Sequence, residues 1–286
     1  MRLSPHREIS RRFAAELPEA RTHLVRVDSE WVDVVQVGSG PSLVIVPGLA
    51  GGWRLAAPLA RHLAATHEVT LVGLRGDRFP YGRGRVDDIG DFAADVAMVI
   101  DHLGLERPSV LGLSFGGAIA LELASRRPYG LTSLIVTGVE ARFRHSLAAS
   151  IARRVLERFV IPSDSGFVNQ FFNLLHGGIP QPGPLVDFVV ERCWDTDQSV
   201  LARRLALVES LDLSDRLDDV RTRTLVIAGA RDVVVPPARQ RELAEGLPDG
   251  RFVRIEGAGH IGFLSHAAEF ARAVERDLAR VVHAAV

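Results

Sequence analysis

One serine of this chain stands where a hydroxyl could become reactive. In the stretch SVLGLSFGGAIA (109–120), Ser114 lies between Gly112 and Gly116, where an apolar, strand-like run gives way to a small-residue, helix-like segment. In a strand–Gly-x-Ser-x-Gly–helix turn the serine oxygen is exposed, and the flanking positions must be small so that strand and helix can approach closely. The bare pattern fits a structural serine at a helix start equally well, but both flanking elements are of the type that a nucleophile requires.

A serine hydroxyl is a weak nucleophile, so this chemistry needs a base and a residue that orients the base. In this motif class the acid follows the serine in the chain and the histidine comes last. Asp232 comes just after a predicted strand in AGARDVVVP (228–236), and His260 lies in the glycine-rich loop of EGAGHIGF (256–263) after the next strand. We therefore predict that Ser114, Asp232 and His260 meet at the carboxyl edge of one sheet.

Other residues compete for two of these roles. Glu140 directly follows the strand after Ser114 and is the alternative acid, although we interpret it as a charge at the surface or at a hinge. The histidines at 62, 67, 102 and 266 fall in predicted helices and are weaker candidates for the base.

Composition excludes several classes of protein. The chain has 286 residues, 47% of them hydrophobic and 24% charged, with a formal net charge of −1, which is typical of a soluble globular protein and predicts no nucleic-acid partner. All 34 basic residues are arginine, which excludes lysine Schiff-base chemistry and the lysine of a P-loop. The sequence also shows no metal-binding motif, so no metal and no cofactor are expected.

The chain carries no recognisable targeting signal. Its single cysteine, Cys193, excludes an internal disulfide. The first residues are charged throughout and resemble no secretory signal, and no stretch approaches the ~20 apolar residues that span a bilayer. We expect a cytoplasmic protein without a membrane span.

Eight short apolar runs alternate with amphipathic, helix-like segments. This alternation predicts an α/β fold, with a mostly parallel, twisted, eight-stranded sheet covered by helices on both faces. The predicted strands are 23–28, 31–37, 42–47, 69–74, 109–114, 131–138, 224–230 and 251–257, the first two forming an antiparallel hairpin. The predicted helices include 88–104, 115–126, 237–246 and a final helix over 262–283.

The strand–helix rhythm stops for about seventy residues after the sixth predicted strand. Residues 141–213 look helical and aromatic-rich, so we predict a helical cap inserted into a core domain made of residues 1–140 and 214–286. Most of the aromatic side chains should form the core of the cap, and some should line an apolar pocket. The aromatic residues are Phe143, Phe159, Phe167, Phe171, Phe172, Phe188 and Trp194.

Taken together, the chain resembles the α/β-hydrolase superfamily, in particular its capped, serine-nucleophile, esterase-like members. The resemblance runs from about residue 23 to 283 and rests on VPGLAGGW (46–53), GLRGD (73–77), GLSFGG (112–117), GARDVVVP (229–236) and GAGHIGF (257–263). It implies that Ser114 is the nucleophile, that His260 is the general base and then acid, and that Asp232 holds the imidazole.

The same resemblance implies an oxyanion hole made from main-chain N–H groups of Leu49 and Phe115. The family pattern before the first of these donors is usually His-Gly, whereas this chain has Pro47-Gly48. Because the hole uses main chain, we expect it to survive that departure. Trp53 is a candidate for the substrate pocket or for packing, and Arg75-Gly76-Asp77 is interpreted as loop structure.

These features predict a cofactor-independent enzyme that cleaves a small, hydrophobic carboxylic ester through an acyl-enzyme. An acyltransferase, a thioesterase or a carbon–carbon bond hydrolase would use the same three residues and stays open. A ligand-binding protein without activity is a third alternative, since fold does not determine function. The oligomeric state is left unassigned.

Overall fold

The computed structural model describes residues 17, 19–28, 30–77, 88–128, 130–144, 147–159, 161, 173–178, 183–194 and 196–284, without the side chains at 147–149, 194 and 281–284. Among them, no helix is both long and apolar enough to cross a membrane.

A single sheet of eight strands forms the centre of the molecule, in the spatial order β1-β2-β4-β3-β5-β6-β7-β8. The first two strands form an antiparallel hairpin, β2 pairs antiparallel with β4, and the remaining neighbours pair in parallel. The strands are β1 Arg21–Val27, β2 Glu30–Val37, β3 Ser42–Val46, β4 Glu68–Val72, β5 Ser109–Leu113, β6 Leu134–Thr137, β7 Thr224–Gly229 and β8 Gly250–Ile255.

Helices connect the parallel strands. They are α1 Ala57–Leu63, α2 Ile89–His102, α3 Phe115–Arg126, α4 Leu147–Arg158, α5 Pro184–Trp194, α6 Gln198–Glu209, α7 Pro237–Gly246, α8 Gly262–Ser265 and α9 Ala267–Ala284, with 3₁₀ helices at Gly52–Ala56 and Ser214–Asp219. A capping box starts α2, since Asp88 accepts from the Asp91 N–H and the Asp91 side chain accepts from the Asp88 N–H.

The inner parallel strands β3 to β7 are buried on both faces, which explains their continuous apolar sequences, whereas the edge strand β8 is mostly half-buried. In β3, Val44 and Val46 belong to the apolar cluster that α2, α3 and α7 cover, whereas Leu43 and Ile45 belong to the cluster that α1 and α9 cover. Because successive side chains of a strand point to opposite faces, one short run supplies both cores. The predicted α/β sheet with helices on both faces is confirmed.

Two local expectations are wrong. The helix predicted over 262–283 is interrupted at His266, whose φ of −129° ends α8 before α9 begins, so His266 lies between two helices. His67 was expected in a helix, but α1 ends at Leu63 and His67 lies in the turn that leads into β4.

The segment 141–213 leaves and rejoins the sheet at one place. The Phe143 N–H donates to the Leu211 carbonyl over 3.0 Å, and the Leu213 N–H donates to the Ala141 carbonyl over 2.8 Å, so the two ends of the segment run side by side. The helices α4, α5 and α6 lie between these ends. We keep the name cap segment for residues 141–213, and its status as a separate domain stays a prediction.

Candidate active site

Ser114 occupies the sharp turn between β5 and α3, with φ 53° and ψ −114°. An L-residue rarely adopts a positive φ, so the surrounding structure must hold this strained conformation in place. Both flanking glycines are required by contact: a Cβ at Gly112 would overlap the Gly116 carbonyl oxygen, and a Cβ at Gly116 would overlap the Val46 carbonyl oxygen. The turn therefore presents the serine side chain at the carboxyl end of β5.

The structure brings the three predicted side chains together. The Ser114 Oγ lies 2.8 Å from the His260 Nε2, and the His260 Nδ1 lies 3.0 Å from the Asp232 Oδ2. Asp232 follows β7 and His260 follows β8, so all three residues stand at the carboxyl ends of parallel strands. Asp232 and His260 are buried, with 3% and 7% of their surfaces exposed, which shields their hydrogen bond from water.

Four donors surround the Asp232 carboxylate. Besides the His260 Nδ1, the N–H groups of Val234 and Val235 each donate to Oδ1 over 2.9 Å, and the Gln240 Nε2 donates to Oδ2 over 3.0 Å. These bonds hold the carboxylate in one orientation and so determine how it meets the imidazole.

Gln240 is a site residue that sequence reasoning missed. It is fully buried in α7, and its Oε1 accepts from the Gly138 N–H over 2.9 Å. Gln240 therefore connects the end of β6 to the loop that carries Asp232. No motif in the sequence distinguishes this glutamine from other polar residues of a helix.

The alternative acid does not contact the imidazole. The Glu140 Oε2 accepts from the Arg239 Nη1 over 3.2 Å, while the His260 Nδ1 bonds to Asp232. Of the two interpretations of Glu140, the surface charge is wrong, because only 6% of this residue is exposed, and the hinge charge stays a prediction. Of the two carboxylates, Asp232 alone has the geometry to orient His260.

The loop after β3 lies against the serine turn. An added Cβ at Gly48 would be 3.4 Å from the Leu113 carbonyl oxygen and 3.8 Å from the Ser114 Cβ. Leu49 is the next residue after Gly48, so its N–H group lies close to the serine turn. Phe115 is the first residue of α3, where the N–H has no carbonyl partner within the helix. This arrangement is compatible with the two predicted donors, whose role in an oxyanion hole stays a prediction.

The cap segment contacts the loop that carries His260, residues 256–261, which we name the histidine loop. The Ile261 N–H donates to the Leu175 carbonyl over 3.3 Å, and an added Cβ at Gly259 would lie 2.5 Å from the backbone carbon of His176. Gly259 therefore allows the two backbones to touch. Burial in this contact lowers the pKa of His176 below its ordinary value, because a charged imidazole would lose its hydration.

The aromatic candidates are distributed unevenly. Trp53 is half-buried in the 3₁₀ helix after the loop, and no described residue bonds to its buried Nε1. Phe188 is 1% exposed and packs in the core, whereas Phe159 is 63% exposed and Phe143 is half-buried. The predictions for Phe167, Phe171, Phe172 and the Trp194 side chain lie outside the described residues. Within the described ranges, no three His, Cys, Asp or Glu side chains are grouped to hold a metal ion.

A family model for the alpha/beta hydrolase family matches residues 43–273, which span β3 to α9 and include every residue of the site. The chain belongs to the alpha/beta hydrolase family. The predicted superfamily and fold are thereby confirmed.

Curated relatives of this alpha/beta hydrolase carry several names. It is 29% identical over 258 residues to a pimeloyl-[acyl-carrier protein] methyl ester esterase of Xanthomonas campestris, covering 87% of this chain and 98% of that protein. It is 29% identical over 249 residues to a putative carbamate hydrolase, RutD, of Pseudomonas syringae, covering 85% and 95%.

A third relative is much longer. The polyketide synthase ThaQ of Burkholderia thailandensis is 29% identical over 265 residues, which cover 88% of this chain and only 12% of that protein. Among solved structures, a thermophilic esterase of Thermogutta terrifontis superposes with a TM-score of 0.76 at 22% identity, covering 91% of this chain and 99% of the other. This last similarity concerns the fold alone.

Proposed function

We propose that this alpha/beta hydrolase is a cofactor-independent carboxylic ester hydrolase that works through an acyl-enzyme on Ser114. The observation that carries the proposal is the continuous hydrogen-bonded chain from Ser114 Oγ through His260 to Asp232, with distances of 2.8 and 3.0 Å. The relative named pimeloyl-[acyl-carrier protein] methyl ester esterase supports the choice of an ester as substrate.

The first half-reaction transfers the acyl group to the enzyme. The His260 Nε2 takes the proton of the Ser114 hydroxyl as the oxygen attacks the ester carbonyl, and Asp232 stabilises the imidazolium that forms. The N–H groups of Leu49 and Phe115 stabilise the negative carbonyl oxygen of the tetrahedral intermediate, and each such donor is worth roughly 3–4 kcal/mol. Collapse of the intermediate expels the alcohol, which receives the proton from His260.

The second half-reaction releases the acid. Water takes the place of the alcohol, gives its proton to His260 and attacks the acyl-serine. The second tetrahedral intermediate collapses to the carboxylic acid as His260 returns that proton to the Ser114 Oγ. Apolar residues of the cap segment, including Leu175 and Phe188, join the apolar cluster that Trp53 packs against. This surrounding favours a hydrophobic acyl or alcohol group.

Labelling and turnover test this proposal together. A fluorophosphonate should add covalently to Ser114, as located by mass spectrometry, and a series of p-nitrophenyl esters of increasing chain length should be hydrolysed. In Ser114→Ala we expect no adduct and a loss of kcat of at least about 10³-fold with an unchanged circular dichroism spectrum. A wild-type protein that neither forms the adduct nor hydrolyses any ester would contradict the proposal.

A second candidate keeps the same three residues and changes the bond. The match to a portion of a polyketide synthase and the relative named a carbamate hydrolase favour including an acyl thioester and an aryl carbamate in the substrate series. A higher kcat/KM on the thioester than on the matched oxygen ester, or faster transfer to an added alcohol than to water, would replace the ester hydrolase with a thioesterase or an acyltransferase.

A further inference from the structure

The largest fully buried side chain of the described protein is a charged one. Arg204 lies in α6 of the cap segment, and none of its surface is exposed. Burying a guanidinium is costly unless hydrogen bonds replace its hydration, and apolar side chains often substitute for buried ion pairs without loss of stability. The hydrogen-bond partners of this buried arginine therefore indicate its role.

Arg204 bonds to the loop after β3, which lies against the serine turn, and to the loop after β4. Its Nη1 donates to the Leu49 carbonyl over 2.8 Å, and its Nη2 donates to the Arg75 carbonyl and to Asp77 Oδ1, each over 2.8 Å. The other oxygen of Asp77, Oδ2, accepts from the Leu74 N–H over 2.9 Å. The sequence motif Arg75-Gly76-Asp77 thus supplies two of the hydrogen-bond acceptors for Arg204 of the cap segment.

A second residue of the cap segment holds the same loop after β3. The Thr196 Oγ1 accepts from the Gly51 N–H over 2.9 Å, and Thr196 is 4% exposed. Residues 47–52, which we name the oxyanion loop, contain three glycines, and Gly51 and Gly52 have φ values of 76° and 54°. Glycines do not restrict the backbone themselves, so external hydrogen bonds must determine where this loop lies.

The arginine also neighbours the other proposed oxyanion donor. The Arg204 Cζ lies 5.9 Å from the centre of the Phe92 ring, and that ring packs edge to face on Phe115 with the ring centres 5.2 Å apart. One side chain thus reaches the Leu49 peptide directly and the Phe115 side chain through a single aromatic contact.

We propose that Arg204 is a positioning residue that, together with Thr196, holds the oxyanion loop so that the Leu49 N–H faces the carbonyl oxygen attacked by Ser114. This inference rests on the proposed function. Small errors in the placement of such donors are costly, because a preorganised hydrogen bond stabilises the transition state only when it is aimed at the developing charge. The cap segment therefore contributes to the reaction through the geometry of the loop, in addition to covering the substrate.

The test compares Arg204→Met, Arg204→Lys and a matched control on an ester and on its thionoester, in which sulfur replaces the carbonyl oxygen. Sulfur accepts hydrogen bonds weakly, so the thionoester depends less on the oxyanion donors. For Arg204→Met we expect kcat on the ester to fall about 10–100-fold with KM changed less than about threefold, and the ester-to-thionoester rate ratio to fall similarly. Arg204→Lys should recover part of both, since lysine reaches one of the acceptors.

The control variant is Arg223→Met, which removes another mostly buried arginine–carboxylate pair, to Asp277 at 2.9 Å, away from the loop. It should lose stability without a change in the rate ratio. Thr196→Val, a nearly isosteric change, should lower kcat on the ester about 3–10-fold and lower the ratio in the same direction. This second variant decides the matter if Arg204→Met does not fold.

The outcomes separate the two proposals. An active wild type whose Arg204 and Thr196 variants lose both rates equally, or lose neither, overturns the positioning role and leaves the ester hydrolase standing. A wild type that hydrolyses no ester and takes no fluorophosphonate overturns the proposed function first and the positioning role with it.

Discussion

At the scale of single residues, the site depends on which carboxylate orients the imidazole. Asp232 and Glu140 are both buried and both follow strands of the sheet. They differ in their partners, because Asp232 bonds to His260 while Glu140 forms an ion pair with Arg239. Burial alone therefore does not select the acid, and the direction of the side chain does.

The two carboxylates can be distinguished by amide substitution. Asp232→Asn should lower kcat on a p-nitrophenyl ester by about 10³–10⁴-fold, because the amide favours the wrong tautomer of His260 and cannot stabilise the imidazolium. Glu140→Gln is the matched control and should keep kcat within about threefold. Steady-state kinetics on folded variants measure both, and a larger loss in Glu140→Gln would show that the acid is assigned wrongly.

At the scale of elements, the site depends on how closely the ends of neighbouring strands and loops approach. Gly138 follows β6 with φ 64°, and an added Cβ there would lie 2.8 Å from the Cε1 of His260. The imidazole thus packs on a backbone without a side chain, and the Gly138 N–H bonds to Gln240. The backbone at the end of β6 therefore limits where the His260 ring can lie.

Comparing Gly138 with Gly104 separates the effect of packing against His260 from the effect of backbone strain. Gly104 at the end of α2 has φ 63°, almost the value at Gly138, but nothing lies within 4 Å of an added Cβ. Gly138→Ala and Gly104→Ala should each lose about 1–2 kcal/mol of unfolding free energy from the positive φ. Only Gly138→Ala should lose activity, by at least about tenfold, since its methyl group displaces His260.

Urea denaturation and ester hydrolysis measure the two effects separately. Full activity in Gly138→Ala would contradict the packing argument, and an equal loss of activity in Gly104→Ala would show that the loss comes from strain alone.

At the scale of the whole molecule, two buried histidines link folding to pH. Burial lowers the pKa of His67, against an opposing effect of the Glu275 charge and the Leu63 carbonyl, and burial lowers the pKa of His176. One lies beside the sheet and the other in the cap segment against the histidine loop. In both, the folded protein favours the neutral imidazole, whereas the histidines of the unfolded chain bind a proton near pH 6.5.

The sign of the linkage follows from proton binding. Below about pH 6.5 the unfolded state binds more protons than the folded state. The contribution of these two histidines to the unfolding free energy is therefore complete above that pH and is lost as the pH falls. We expect the decrease between pH 7.5 and pH 5.5 to be smaller in the double variant His67→Gln/His176→Gln than in the wild type, with His62→Gln as the control on an exposed histidine. Urea titrations at both pH values measure it, and an identical decrease in all three proteins would refute the assignment.

The sequence by itself determined the eight strands, the order of the helices and the three side chains that now lie in hydrogen-bonding distance. These depend on local patterns: a continuous apolar run gives a strand buried on both faces, and the Gly-x-Ser-x-Gly spacing marks the turn, although the contact that requires Gly116 is with the distant Val46 carbonyl oxygen. The parallel arrangement then carries the ends of β5, β7 and β8 to one edge. The break at His266 was missed because its apolar pattern continues across it.

The tertiary structure alone decided which buried polar groups meet. Arg204 reaches carbonyl groups 129 and 155 positions away, and Gln240 joins Asp232 to a glycine 102 positions away. Such contacts leave no periodicity and no fixed spacing in a single sequence, because they form between loops that many different chains could bring together. The physical reason is that apolar burial requires only the right side of an element, whereas a buried hydrogen bond requires one particular donor within about 3 Å of one particular acceptor.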